Sequence, residues 1–293
     1  MFSEKYKYHT WLHFTVLLFA VTGILGKSIS ASATITVWYR LVFAIIGIIA
    51  YSALIKGKFK FTRKRLYHLL LTGGIVGVHW ITFFGAIKVS NVSLALVCFS
   101  TTTLFTALIE PIYFKTKIKP YEIIFGLIII GGLYLVIFDV DFKYIWGIVL
   151  SVISAALASW FTVLNGLYIK DTDAKSISVI ELTGALIVTS LCLPFTDGMS
   201  FFNPLTGEDY VYLLILGVVC TTVAFVLSVE VMKKLSPYTV TISVNLEPVY
   251  AIILAVFIWP DTESMSATFY LGAGIILACI FGNAYVKNRL AKR

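Results

Sequence analysis

Ten strongly apolar segments follow one another along this chain, in two sets of five whose fourth members are entered the same way. Lys88 opens Lys-Val-Ser-Asn-Val-Ser-Leu-Ala-Leu-Val, and Lys233 opens Lys-Lys-Leu-Ser-Pro-Tyr-Thr-Val-Thr-Ile, so that Thr102 and Glu247 fall at the same offset. This is the pattern of a duplicated membrane unit. Five is odd, so a second copy inserted after the first must point the other way. The result is an inverted-topology repeat, a plan used to alternate access to a site at the membrane midplane. The expected fold is an all-α polytopic membrane protein. Its ten transmembrane helices form two inverted five-helix repeats, 1–140 and 141–293.

The segments lie at about 10–28, 34–55, 66–87, 92–113, 121–138, 145–169, 177–195, 210–232, 238–259 and 267–286. Each approaches the roughly 20 apolar residues a helix needs to cross about 30 Å of hydrocarbon. Strands are not expected, because lipid tolerates only helices or closed barrels and no alternating pattern is present. The composition agrees, with 59% hydrophobic and 13% charged residues and a mean hydropathy of +0.93. Connections are short. The longest, 196–209, carries Gly198, Pro204, Gly207 and three acids, leaving no room for a water-soluble catalytic domain.

A formal charge of +8 would suggest nucleic acid in a soluble protein. Here the basic residues flank helix ends, where they set orientation and meet anionic lipid, so nucleic acid is not an expected partner. Of the 23 Lys and Arg residues, 19 fall on one side of the alternating segments and three, Lys27, Lys88 and Lys143, on the other, with Arg40 inside a span. The positive-inside rule therefore places both termini in the cytoplasm. The first span could be read as a secretory signal, with Ala31-Ser32-Ala33 as its cleavage site. Cleavage would break the two-by-five count, so a retained helix is expected. The four cysteines lie within spans, lack CxxC spacing, and read as small hydrophobes rather than disulfide partners or metal ligands.

The segments Gly-Val-His-Trp-Ile-Thr-Phe-Phe-Gly-Ala-Ile-Lys (77–88), Thr-Leu-Phe-Thr-Ala-Leu (103–108) and Asn-Leu-Glu-Pro-Val-Tyr (245–250) resemble the EamA-type branch of the drug/metabolite transporter superfamily. The resemblance covers nearly the whole chain. It implies a secondary transporter of small polar or amphipathic metabolites, multi-pass in the bacterial inner membrane, with a cavity between its halves. It implies export of amino acids or related compounds more readily than proton-coupled uptake on the same scaffold. The copies are not chemically equal: His79 and Trp80 align with Ala224 and Phe225, and Thr102 with Glu247.

Glu247 is the first candidate for substrate binding or coupling, because an acid near the bilayer midplane costs about 2.5–3.5 kcal/mol unless paired, protonated or wet. Pro248 follows, lacks an N–H, and breaks the helix near 245–248. Glu247 then either faces the translocation path, taking a proton or binding a substrate amine with help from Asn245, or fills the space a kink opens. Arg40 either binds a substrate carboxylate, forms an outer gate, snorkels to the interface or pairs permanently with a neighbour. Glu181, its rough counterpart in the second copy, lies toward the cytoplasmic side. His79 and Trp80 offer a proton relay and an aromatic wall, or plain packing. Thr102 and Thr103 sit at the depth of Glu247 and face it if the repeats pack about a pseudo-twofold axis, though such hydroxyls also bond their own backbone.

No metal set accompanies His79 and no cofactor is implied. An intramembrane enzyme would want a GxSxG nucleophile, a pair of membrane acids or an acid-rich Mg²⁺ motif. The nearest match, Asp171-Thr172-Asp173, sits in a short turn. A channel would want a carbonyl filter, which the sequence lacks.

Overall fold

The computed structural model describes residues 4–54, 58–118, 120–138, 141–203 and 205–290, and all regular structure among them is helical. The long helices are α1 (Glu4–Ser28), α2 (Ala33–Leu54), α3 (Arg63–Val89), α6 (Pro120–Phe138), α7 (Ile145–Tyr168), α8 (Ala174–Thr196) and α14 (Ala267–Leu290). The rest are pieces: α4 (Val92–Phe99) leads into α5 (Thr102–Phe114), and α11 (Pro237–Val244) into α12 (Glu247–Ile258) and the short α13 (Pro260–Glu263). Between them, α9 (Gly207–Leu214) joins α10 (Ala224–Glu230) through a π-helical stretch, Ile215–Val223. Taking joined pieces together, eight helices among the described residues are long and apolar enough to cross a bilayer, with shorter apolar helices at Ile123–Phe138 and Ala267–Asn283.

Polar residues mark where these apolar runs start. Thr62 accepts from the Arg65 N–H at the head of α3, Asn91 from Leu94 at α4, Asp173 from Ser176 at α8 and Ser236 from Thr239 at α11. Thr206 and Asp209 form a reciprocal capping box at α9. Each cap satisfies amides that hydrocarbon could not. The outward faces carry exposed Leu54, Phe195 and Phe257, an apolar surface suited to lipid rather than water.

The turns gather at two ends. At one, Ser30 bonds Asp209 and Lys27 bonds Glu263, so the α1–α2, α8–α9 and α12–α14 connections meet; this is the acidic end. At the other, the Lys60 amide donates to Ser176, Arg65 pairs with Asp171, and Lys170 lies over Phe114; this is the basic end.

The two copies interlock. Helix α8 packs most extensively on α3, and α2 packs more on the π-helical stretch than on its own neighbour α3. Small residues allow this: a Cβ at Gly73 would collide with the Glu181 carbonyl, and one at Gly184 with the Leu70 carbonyl, so α3 and α8 touch backbone to backbone. In the pair α6 and α14, Gly132 meets Gly272. Gly131, beside it, has nothing within 4 Å and plays no part in that seam.

Candidate functional site

Two helices break in mid-course, at Ser100–Thr101 and at Asn245–Leu246. The offset that carries Thr102 onto Glu247 carries one break onto the other. Only the second is adjacent to a proline. At the first, hydroxyls compete for the backbone: Ser100 donates to the Leu96 carbonyl (3.1 Å), Thr101 to Cys98 (2.8 Å) and Thr102 to Phe99. In both, the amides tighten toward carbonyls three residues back, as Thr101 to Cys98 and Leu246 to Ser243.

The broken helices lie antiparallel, α4 against α12 and α5 against α11. Thr106 donates to Thr241 at 3.3 Å, and the Asn245 amide donates to Thr103 and to the Thr241 carbonyl. Asn245 and Thr103 are therefore spent on each other, holding the breaks side by side away from the cavity. Thr102 and Glu247, first residues of the new helical halves, both line it. Their N-termini bring positive helix-dipole ends to the cavity.

The cavity has a volume of about 90 Å³, room for several waters. Phe83, Phe99, Phe161, Phe225 and Trp80 wall it, and Arg40, His79, Thr102 and Glu247 supply its polar groups. Arg40 is 2% exposed and does not reach the interface. Its Nε donates to Thr221 Oγ1 at 2.6 Å, and its guanidinium carbon lies 3.9 Å from the Trp80 ring centroid. Its Nη1 has no hydrogen-bond partner among the described residues. The π-helical stretch sets this up: the wider turn lets Thr221 bond the Leu216 carbonyl five residues back while presenting its oxygen to Arg40.

Glu247 is buried, yet its carboxylate has no hydrogen-bond or ion-pair partner among the described residues. Arg40 stands on the same cavity, close enough to attract it but beyond ion-pair contact. His79 is fixed through Nδ1, which lies 3.0 Å from the Ser154 carbonyl. The Ser154 hydroxyl lies 2.8 Å from the same nitrogen, and the donor and acceptor roles there depend on the tautomer of the ring. The ring stacks on Phe99 with centroids 5.7 Å apart. Pro248 lies in the first turn of α12, where its missing N–H costs nothing.

Sequence reasoning passed over Asn165, Thr162, Ser228 and Thr22, which also line the cavity. Asn165 was the findable one: a lone amide in an apolar helix has to be satisfied by something. It donates to Glu181 Oε2 at 3.0 Å, near the basic end. The π-helical stretch left no sequence cue beyond the Thr221-Thr222 pair.

The acidic end is sealed over this cavity. Fully buried Glu263 accepts from the amides of Val92 (3.0 Å) and Ser93 (2.8 Å), from the Ser93 hydroxyl, and from Lys27 at 2.7 Å. Asp209 accepts from the amide and hydroxyl of Ser30. Both carboxylates come from the second copy and clasp the first. At the basic end a third cross-copy carboxylate, Glu110, accepts from the Tyr238 amide at the head of α11 (2.9 Å). The cavity lining continues that way to Asn165, Ser228 and Met232.

No curated protein matches the chain. Solved structures do, among them one described only as "Crystal structure of protein", 15% identical, with a TM-score of 0.71 over 98% of this chain and 99% of that one, a likeness of fold. The EamA-like transporter family matches the sequence twice, over residues 7–138 and 145–285. Two matches in tandem, one to each copy, account for nearly the whole length, and the protein belongs to this family of multi-pass membrane transporters within the drug/metabolite transporter superfamily.

Proposed function

We propose that the protein is a secondary carrier that exports small amine- and carboxylate-bearing metabolites, amino acids or related compounds, by alternating access. One observation carries the reading. An arginine with a free Nη1 and a glutamate with no partner stand on one aromatic-walled cavity, beside two helix breaks related by the repeat. Buried charges left short of partners in hydrocarbon are costly, and a zwitterion would satisfy both at once. The phenyl and indole faces suit an apolar side chain.

The ten-span topology with cytoplasmic termini follows from the 19-to-3 division of basic residues. On that topology the basic end is cytoplasmic, and export is the direction that the family resemblance favours. The repeat boundary near residue 140 divides the chain into the two inverted units.

The test begins with a metabolite comparison of cells with and without the protein, followed by liposome flux of whichever solutes change. Arg40→Ala should weaken flux of carboxylate-bearing solutes more than of their neutral analogues, since it removes a fork of donors. Equal loss for both would assign Arg40 to a gate and overturn the zwitterion site. Saturable flux that traps solute on one side at a time distinguishes a carrier from a channel.

A further inference from the structure

Asn165 and Glu181 form a second polar pair, toward the basic end of the cavity, that the substrate site does not use. Both are buried, at 1% and 0% exposed. One hydrogen bond joins them, from Asn165 Nδ2 to Glu181 Oε2 at 3.0 Å. Their remaining oxygens, Asn165 Oδ1 and Glu181 Oε1, have no donor among the described residues. Two orphan acceptors on one bonded pair lack a single proton between them. If Glu181 takes that proton, the acid gains an O–H donor and its charge disappears.

Among the described residues no ion pair reaches the acid. Helix α3 packs Gly73 against the Glu181 backbone carbonyl and brings no charge there. The exposed His68 lies farther toward the basic end of α3, and Arg65 lies over the Tyr168 ring (4.6 Å) and pairs with Asp171. From α7 the ionisable neighbour is Tyr168, whose hydroxyl lies 3.3 Å from Thr72. The basic half of α2 offers only the exposed Tyr51, and Arg40 and Tyr39 sit on its other half. Helix α10 brings Glu230, already paired with Lys233 at 2.6 Å. An isolated carboxylate in such a place is far costlier than a carboxylic acid.

We propose that Glu181 and Asn165 form the proton-binding site that couples transport to the proton gradient, separate from the Arg40–Glu247 substrate site. The bookkeeping is one proton: Glu181 takes H⁺ from cavity water as its carboxylate becomes a neutral acid, and returns it to water when the cavity faces the opposite side. Asn165, on the cavity wall, is the positioning residue that carries contact between Glu181 and that water. The coupling role rests on the carrier reading above; the proton site itself does not.

Two measurements on the full-length protein in liposomes test this. In pH-difference infrared spectra, wild type should show protonated-carboxyl C=O bands that grow as pH falls. Glu181→Gln should remove one, Glu247→Gln should leave that one in place, and Asn165→Leu should shift its midpoint. In flux of labelled neutral amino acids, Glu181→Gln should abolish gradient-driven accumulation while keeping solute exchange, whereas Glu247→Gln should lose both. An unchanged set of bands in Glu181→Gln, or wild-type accumulation by it, overturns the proposal. No flux by wild type would instead count against the proposed substrates, with the infrared bands still deciding the proton site.

Discussion

At the scale of single residues, two kinds of polar group lie within a few turns of each other in this membrane interior. Asn245 and Thr103 satisfy one another and lie outside the cavity lining. Asn245→Leu should therefore cost about 1–3 kcal/mol of stability, the penalty for a stranded buried hydroxyl and a lost bond, while sparing the pattern of solutes carried. Thermal unfolding in detergent against flux selectivity checks this; a changed solute preference with unchanged melting would move Asn245 into the site. Glu247→Gln should do the reverse, keeping the fold and changing transport or its pH dependence, and wild-type flux at every pH would reduce it to a structural acid. Glu247 was legible in the sequence because a mid-span acid beside a proline is rare and expensive. Thr221 was not, because a hydroxyl is common in membrane helices and its importance comes from what the other copy places opposite it.

Among the elements, the informative ones depart from the regular α-helix. The break at Asn245–Leu246 could be anticipated from Pro248, but its partner at Ser100–Thr101 has no such marker and depends on a run of hydroxyls bonding their own turn. Breaks at matched positions with different local chemistry indicate that packing of α4 on α12 and α5 on α11 holds them open. Pro248→Ala should accordingly be mild, since its N–H would lie in a first turn that needs no intrahelical bond. Flux near wild type is the expected result, and severe loss would assign the break to the proline alone. The backbone contact of α3 and α8 is less forgiving. Gly73→Ala forces a methyl into the Glu181 carbonyl and should cost about 1–3 kcal/mol, as overpacking does. A lowered melting temperature is the readout.

For the whole molecule, the apolar segments and the duplication were readable because hydropathy and repeat spacing are one-dimensional signals. The interlocking was not, since it depends on which face of each helix finds the other copy. The acidic end is held by two carboxylate clasps, and Glu263→Gln weakens the stronger by removing its charge. A cysteine at Ser93 should then react faster with a small thiol reagent than in the parent; equal rates would mean that apolar packing, not the clasp, keeps that end shut. Orientation is checked separately. A membrane-impermeant thiol label applied outside should reach a cysteine at Gly198 and miss one at Lys60, and the reverse would invert the topology.

The seam between α3 and α8 also bears on how the chain is made. Roughly a hundred residues separate Gly73 from its partner Glu181, an interval of about 5–20 s at ordinary elongation rates of roughly 5–20 residues per second. For that time the glycine face of α3 has only lipid or the insertion machinery against it, and α2 likewise waits for the π-helical stretch. The first five helices are thus an unfinished surface, not a settled half, until the second copy arrives. Ribosome pausing between codons 90 and 180 would lengthen the window in which membrane proteases can recognise them.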